Sequence, residues 1–250
     1  MVTRLTWEQR LIVALICTSA VIYAIKFLVF GDNGESNTLS YIFNSLGFLP
    51  INILIVTLII NRLLAMRAKQ EQQEKMKMVV GLFFSEMGAR LLRLIIVSDP
   101  DAEAVRNILT VRRTWTKAEF VRAKEQLSEC SFTAHPSAED LVKIRELLEK
   151  HHEFLLRLIE NPVLLEQNSI SKLLQDLFHL GEELSSRGDI LALPKTDIAH
   201  LGGDVNRVYP QLTLVWLDHM EYLAANYPYL LSLSIRKSPF TAHCDVVVRE

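Results

Sequence analysis

From Ile51 to Val80 the chain contains neither glycine nor proline, and inside that stretch a lipid-like run, ILIVTLIINRLLAM, passes directly into a charged one, RAKQEQQEKMK. With no breaker between them, a single helix is expected to carry both. Its first part needs apolar surroundings and its second part water. A helix that leaves a membrane and continues into solvent meets both needs.

A second apolar run, LIVALICTSAVIYAIKFLVF from Leu11 to Phe30, carries one charge, Lys26, close to its end. A spanning helix needs about 20 such residues, and Lys26 is placed to snorkel to the interface. A cleaved leader is the competing reading, because Arg4 and Arg10 precede the run and the small residues TSA lie inside it. The run outlasts the roughly 7–15 residues of a leader's apolar stretch, so two spans are expected, at about 11–30 and 42–66. Arg4 and Arg10 lie before the first span, and Arg62, Arg67, Lys69, Lys75 and Lys77 lie at or beyond the end of the second. The connecting GDNGESNT holds only acids. That asymmetry puts both termini in the cytoplasm. Pro50 is expected near the outer start of the second span, where a first helical turn tolerates it. Asn52 has two readings, lining a pore formed by several copies or sitting at headgroup level.

The composition agrees with this division. Half of the 250 residues are hydrophobic although 22% are charged, and mean hydropathy is +0.19; the apolar excess is concentrated in the first 66 residues. A net charge of −2 offers no general attraction for nucleic acid, which is excluded as a partner. Cys17, Cys130 and Cys244 are odd in number and widely spaced, so neither a disulfide framework nor a zinc knuckle is indicated.

Beyond the spans, residues 67–98 read as a stalk helix, 99–240 as an all-helical cytoplasmic domain and 241–250 as a tail. Val80, Phe83, Phe84, Met87 and Leu91 recur at helical spacing along the stalk and need a cover, which is expected to be a second copy of the chain. Gly81 and Gly88 mark either close helix approaches or weak points. SDPD at 98–101 stops the helix. Thr116 with Glu119 forms a capping box for a helix ending near Cys130, and Ser137 caps one running on to ENP at 160–162. Further helices are expected from about Ile170 to Ser186 and from Asp197 to NYP at 226–228. The last carries the stripe Ile198, Leu201, Val205, Val208, Leu212, Val215, His219, Tyr222 and a kinking Pro210. The fold class is all-α, with no competing strand pattern.

Carboxylates and histidines recur at helix spacing: Asp176, His179 and Glu183 on one helix, and Asp197, His200 and Asp204 on the next. Such pairs project from one face, as bundle metal sites require, but a polar network between helices or plain solvation uses the same spacing. The metal reading takes Asp176, His179, Glu183, His200 and Asp204. His219 and His151 or His152 lie on or beside apolar stripes and read as hydrogen-bonded core histidines. No nucleophile elbow, HExxH or phosphate loop occurs, so neither an enzyme nor a cofactor is indicated.

The segments ENPVLLEQNSISKLLQDLFHLGEEL, DIAHLGGDVNRVYPQL and YPYLLSLSIRKSPF, with FFSE after the charged run, resemble uncharacterised bacterial membrane proteins that also begin with two apolar spans. The resemblance implies this architecture in a bacterial inner membrane and no particular activity. The chain is therefore expected to be a non-enzymatic, multi-pass membrane protein that self-associates through its stalk. Its helical module would meet a cytoplasmic protein partner; the exposed aromatic turn NYPYLL, with Arg236 and Lys237, reads first as local packing and second as a docking surface. An oligomeric channel lined at Asn52 and a membrane-bound metal site are the alternatives.

Overall fold

The computed structural model describes residues 7–30, 38–165 and 167–241; Arg4, the acidic connection at 31–37, Cys244 and nearly all of the tail lie outside the described residues. Among the described residues every regular element is a helix, and the chain divides into a unit ending at Glu71 and one beginning at Gln72.

The first unit pairs α1 (Trp7–Phe30) with the first turns of α2 (Thr38–Phe83). Twenty-four residues make α1 about 36 Å long, enough to cross a hydrocarbon layer of about 30 Å. The seam between the helices is polar and tight. Ser19, buried, donates to the Gly47 carbonyl at 2.6 Å. A Cβ on Gly47 would stand 2.9 Å from the Tyr23 ring, so only glycine admits that ring. Tyr23 donates to the Asn44 carbonyl at 3.4 Å, and Lys26 donates to Asn44 Oδ1 at 2.8 Å. Lys26 thus has a partner on the neighbouring helix. The outward faces are apolar: Val13, Ile16, Val21 and Phe27 on α1, and Ile53, Ile55, Leu58, Ile59 and Leu63 on α2, are each about half exposed or more. Pro50 does not begin a helix as expected but lies well inside α2, buried.

In the second unit, α2 ends in a π-helical turn, Phe84–Gly88, which passes into α3 (Ala89–Val97). Gly88 is required there, because a Cβ would lie 2.6 Å from Phe83 Cε1 and 2.8 Å from Phe84 Cδ1. Short α4 (Ala102–Ile108) follows, then α5 (Lys117–Glu129) and α6 (Ala138–Lys150). Helix α5 begins at its expected capping box, Thr116 with Glu119, and α6 at its expected cap Ser137, which forms a capping box with Asp140. The helix expected to run from Ser137 to residue 160 is broken at His151, and α7 (His152–Ile159) restarts it. Next come α8 (Pro162–Leu165), α9 (Asn168–Ser185), a 3₁₀ turn at Ile190–Ala192, α10 (Lys195–Asn226) and α11 (Pro228–Arg236).

Helix α10 is the hub, packing on α3, α5, α9 and α11. Of its expected stripe, Leu201, Val205, Val208, Leu212, Val215 and Tyr222 are buried, and the helix continues through Pro210. The segment expected as an exposed aromatic turn is helical instead. In α11, Leu231 is buried while Tyr229 faces outward.

The stalk reading needs one correction. Val80, Phe83, Phe84, Met87 and Leu91 are all buried in the module's own core, so this chain already supplies the cover expected from a second copy. The apolar residues left outward on α2 beyond residue 72 are Met78 and Leu82, each more than half exposed.

Candidate functional site

Helices α9 and α10 lie side by side and antiparallel, joined by a short connection, and their facing polar residues converge. Each contributes a histidine and a carboxylate four residues apart, His179 with Glu183 and His200 with Asp204, so both pairs project from one face of their helix. His200 Nε2 stands 3.7 Å from Glu183 Oε2 and 3.8 Å from Asp204 Oδ2. His179 Nε2 stands 4.0 Å from Asp204 Oδ1. Donor atoms of Glu183, His200 and Asp204 all lie within 4.8 Å of one another.

Two arginines hold the carboxylates. Arg187 grips Asp197 with two hydrogen bonds, 2.7 and 3.0 Å, and Glu183 Oε2 with a third at 2.7 Å. Those bonds raise the Arg187 pKa further and hold the Asp197 and Glu183 carboxyls below their usual range. Arg207 reaches Asp204 Oδ1 at 3.0 Å. Asp204 is only 3% exposed and its Oδ2 accepts no hydrogen bond.

The sequence placed Asp204 on a polar face away from the core, but packing against α9 buries it. Of the five residues read as a metal set, His179, Glu183, His200 and Asp204 come together. Asp176 does not, because it accepts from Gln211 Nε2 at 2.6 Å. The two arginines were not anticipated, although Glu183–Arg187 and Asp204–Arg207 have the spacing of helical ion pairs.

Asn52 is exposed on α2. His151 Nδ1 lies 2.8 Å from the Leu147 carbonyl, and His152 packs beside Phe178. His219 is largely buried and stacks on Phe84, and its Nδ1 lacks the hydrogen bond expected of a core histidine. It forms a wall between two cavities, one of about 580 Å³ lined by Met76, Trp115, Phe120 and Tyr222, the other of about 360 Å³ lined by Arg90, Trp216 and Lys237. Burial pushes the Cys130 thiol up, away from the reactive thiolate.

A family model described as the MJ1433 N-terminal helical domain matches residues 3–64, and one described as the MJ1433 C-terminal helical domain matches residues 72–236. The chain belongs to the MJ1433 family. The uncharacterized protein MJ1433 of Methanocaldococcus jannaschii is 41% identical over 228 residues, covering 91% of each chain. No solved structure matches. This relative is archaeal, so the expected bacterial setting is without support. The MJ1433 family models and the structural units divide the chain at nearly the same place. Both put residues 72–98 with the helical module instead of in a stalk of their own.

Proposed function

We propose that this protein is a non-enzymatic, two-span membrane protein with both ends cytoplasmic, whose helical module serves as a docking unit for a protein partner. The observation that carries the reading is the inverted distribution in the first unit. Its apolar side chains face outward while Ser19, Tyr23, Lys26 and Asn44 meet across the helix seam. Small residues and hydrogen bonds between helices are how helices associate in lipid, whereas in water each outward Leu or Ile would forgo about 1.5–3 kcal/mol of burial. Arg10 precedes the first span, and Arg67, Lys69, Lys75 and Lys77 follow the second, which supports the orientation. Self-association belongs to the same reading and is assigned to the surfaces that remain outward, the hairpin itself with Met78 and Leu82.

The test is extraction of cell membranes carrying the full chain. The expected result is protein that stays with the membrane through alkaline carbonate wash, dissolves only in detergent, and then elutes as an oligomer by light scattering. Recovery in the carbonate supernatant would refute the anchor, and a detergent-solubilised monomer would refute the self-association.

A further inference from the structure

The α9–α10 cluster is built in a way that simple ion pairing does not explain. His200 Nε2 lies between two carboxylates at 3.7 and 3.8 Å, too far from either for a hydrogen bond. Asp204 is buried, and its Oδ2, 3.8 Å from His200 Nε2, has no hydrogen-bond partner. A buried carboxylate oxygen left unsatisfied is costly, and such groups are normally hydrogen-bonded or coordinate a metal.

We propose that Glu183, His200 and Asp204 bind a divalent first-row metal ion, with His179 as the fourth ligand. Donors about 2.0–2.1 Å from a tetrahedral ion are roughly 3.4 Å from one another. His200 Nε2 and Asp204 Oδ2, 3.8 Å apart, need only a few tenths of an ångström of closure; donor atoms of Glu183, His200 and Asp204 already lie within 4.8 Å of one another, and His179 Nε2 stands beside them, 4.0 Å from the other Asp204 oxygen. Two imidazoles and two carboxylates, without a thiolate, suit zinc, cobalt, iron or manganese. The arginines then act as outer partners. Arg207 occupies Asp204 Oδ1 and leaves Oδ2 for the ion, while Arg187 takes Glu183 Oε2 and leaves Oε1. Outer partners of this kind orient ligating carboxylates. The bound ion would clip α9 to α10, and the half-exposed His179 and His200 give it a route from solvent.

The test uses the tag-free full chain in detergent, stripped with chelator and titrated with Co²⁺ and then Zn²⁺. One Co²⁺ per chain with visible absorption of tetrahedral intensity, displaced by Zn²⁺, is expected. His200→Ala, at a half-exposed position, should weaken binding at least about a hundredfold, the upper range seen for loss of a mere outer partner. His135→Ala, on an exposed histidine outside the cluster, should bind as the parent does. Absence of stoichiometric uptake by the parent, unchanged binding by His200→Ala, or equal loss in His135→Ala would each overturn the proposal.

Discussion

Lowering the pH from 7 to 4 should destabilise the helical module through His219, and replacing that one side chain should remove the effect. His219 is enclosed by Phe84 and the α2 backbone at Gly81, whose Cβ position would be 3.0 Å from His219 Cε1. Burial alone pushes the imidazole pKa down from 6.5 to about 4. Lys77, Lys117, Asp218 and Glu221 line one adjoining cavity, and Arg90, Arg93 and Lys237 the other. Above pH 6.5 the ring is neutral folded or unfolded, and the stability is complete. As the pH falls below 6.5 the unfolded chain binds a proton that the folded chain refuses, so each unit removes about 1.4 kcal/mol of stability. By pH 4, where the folded form is half protonated, the loss reaches roughly 3 kcal/mol, and it levels off within about one further pH unit. Carboxylates titrate in the same range, so the readout is the difference between the parent and His219→Phe, which keeps an aromatic ring against Phe84. Guanidinium unfolding of the detergent-solubilised chain, followed by tryptophan fluorescence, should show the parent losing stability relative to His219→Phe between pH 6.5 and 4.5. Parallel pH profiles for the two proteins would refute the reasoning.

Two further substitutions test how the module is held together. Gly88→Ala drives a methyl into the buried Phe83 and Phe84 rings and should cost about 1–3 kcal/mol, read as a lower unfolding midpoint; an unchanged midpoint would mean that the π-helical turn relaxes freely. Asn206 accepts from Ala134 N at 2.8 Å and donates to Ala134 O at 2.9 Å, pinning the α5–α6 connection to α10. Asn206→Ala should therefore cost about 2 kcal/mol or more in the same assay, with Asn206→Asp, which keeps only the acceptor, falling between.

Local signals in the sequence were legible where their causes are local. The caps at Thr116 and Ser137 start α5 and α6 as expected, and the stripe on α10 faces the core. Periodicity failed where the cause is distant. The run Val80, Phe83, Phe84, Met87, Leu91 shows that a helix face must be covered, but a second copy and the chain's own α10 satisfy that demand equally in one dimension. The break at His151 was missed because EKHHEF holds no proline or glycine to announce it. In the candidate site, spacing found the two histidine–carboxylate pairs, since each pair sits on one helix. It misjudged Asp204 and Asp176 because their partners, Arg207 aside, come from the neighbouring helix.

Polar groups meet between helices in both units, and the physical reasons differ. In the hairpin, Ser19 donates to the Gly47 carbonyl and Tyr23 and Lys26 donate to Asn44, between apolar outer faces, which is the arrangement a lipid surround favours. In the module, Asp204 is not satisfied in this way. Arg207 serves one of its oxygens, and the other is buried beside an imidazole too distant to help. An ion bound there only in the folded state stabilises it by mass action, about 2.7 kcal/mol at a hundredfold excess over its dissociation constant. The free oxygen of Asp204 is a destabilising feature of the apo module that ligand binding would reverse, so its stability should rise with divalent ion concentration, as that of the Asp204-free hairpin should not.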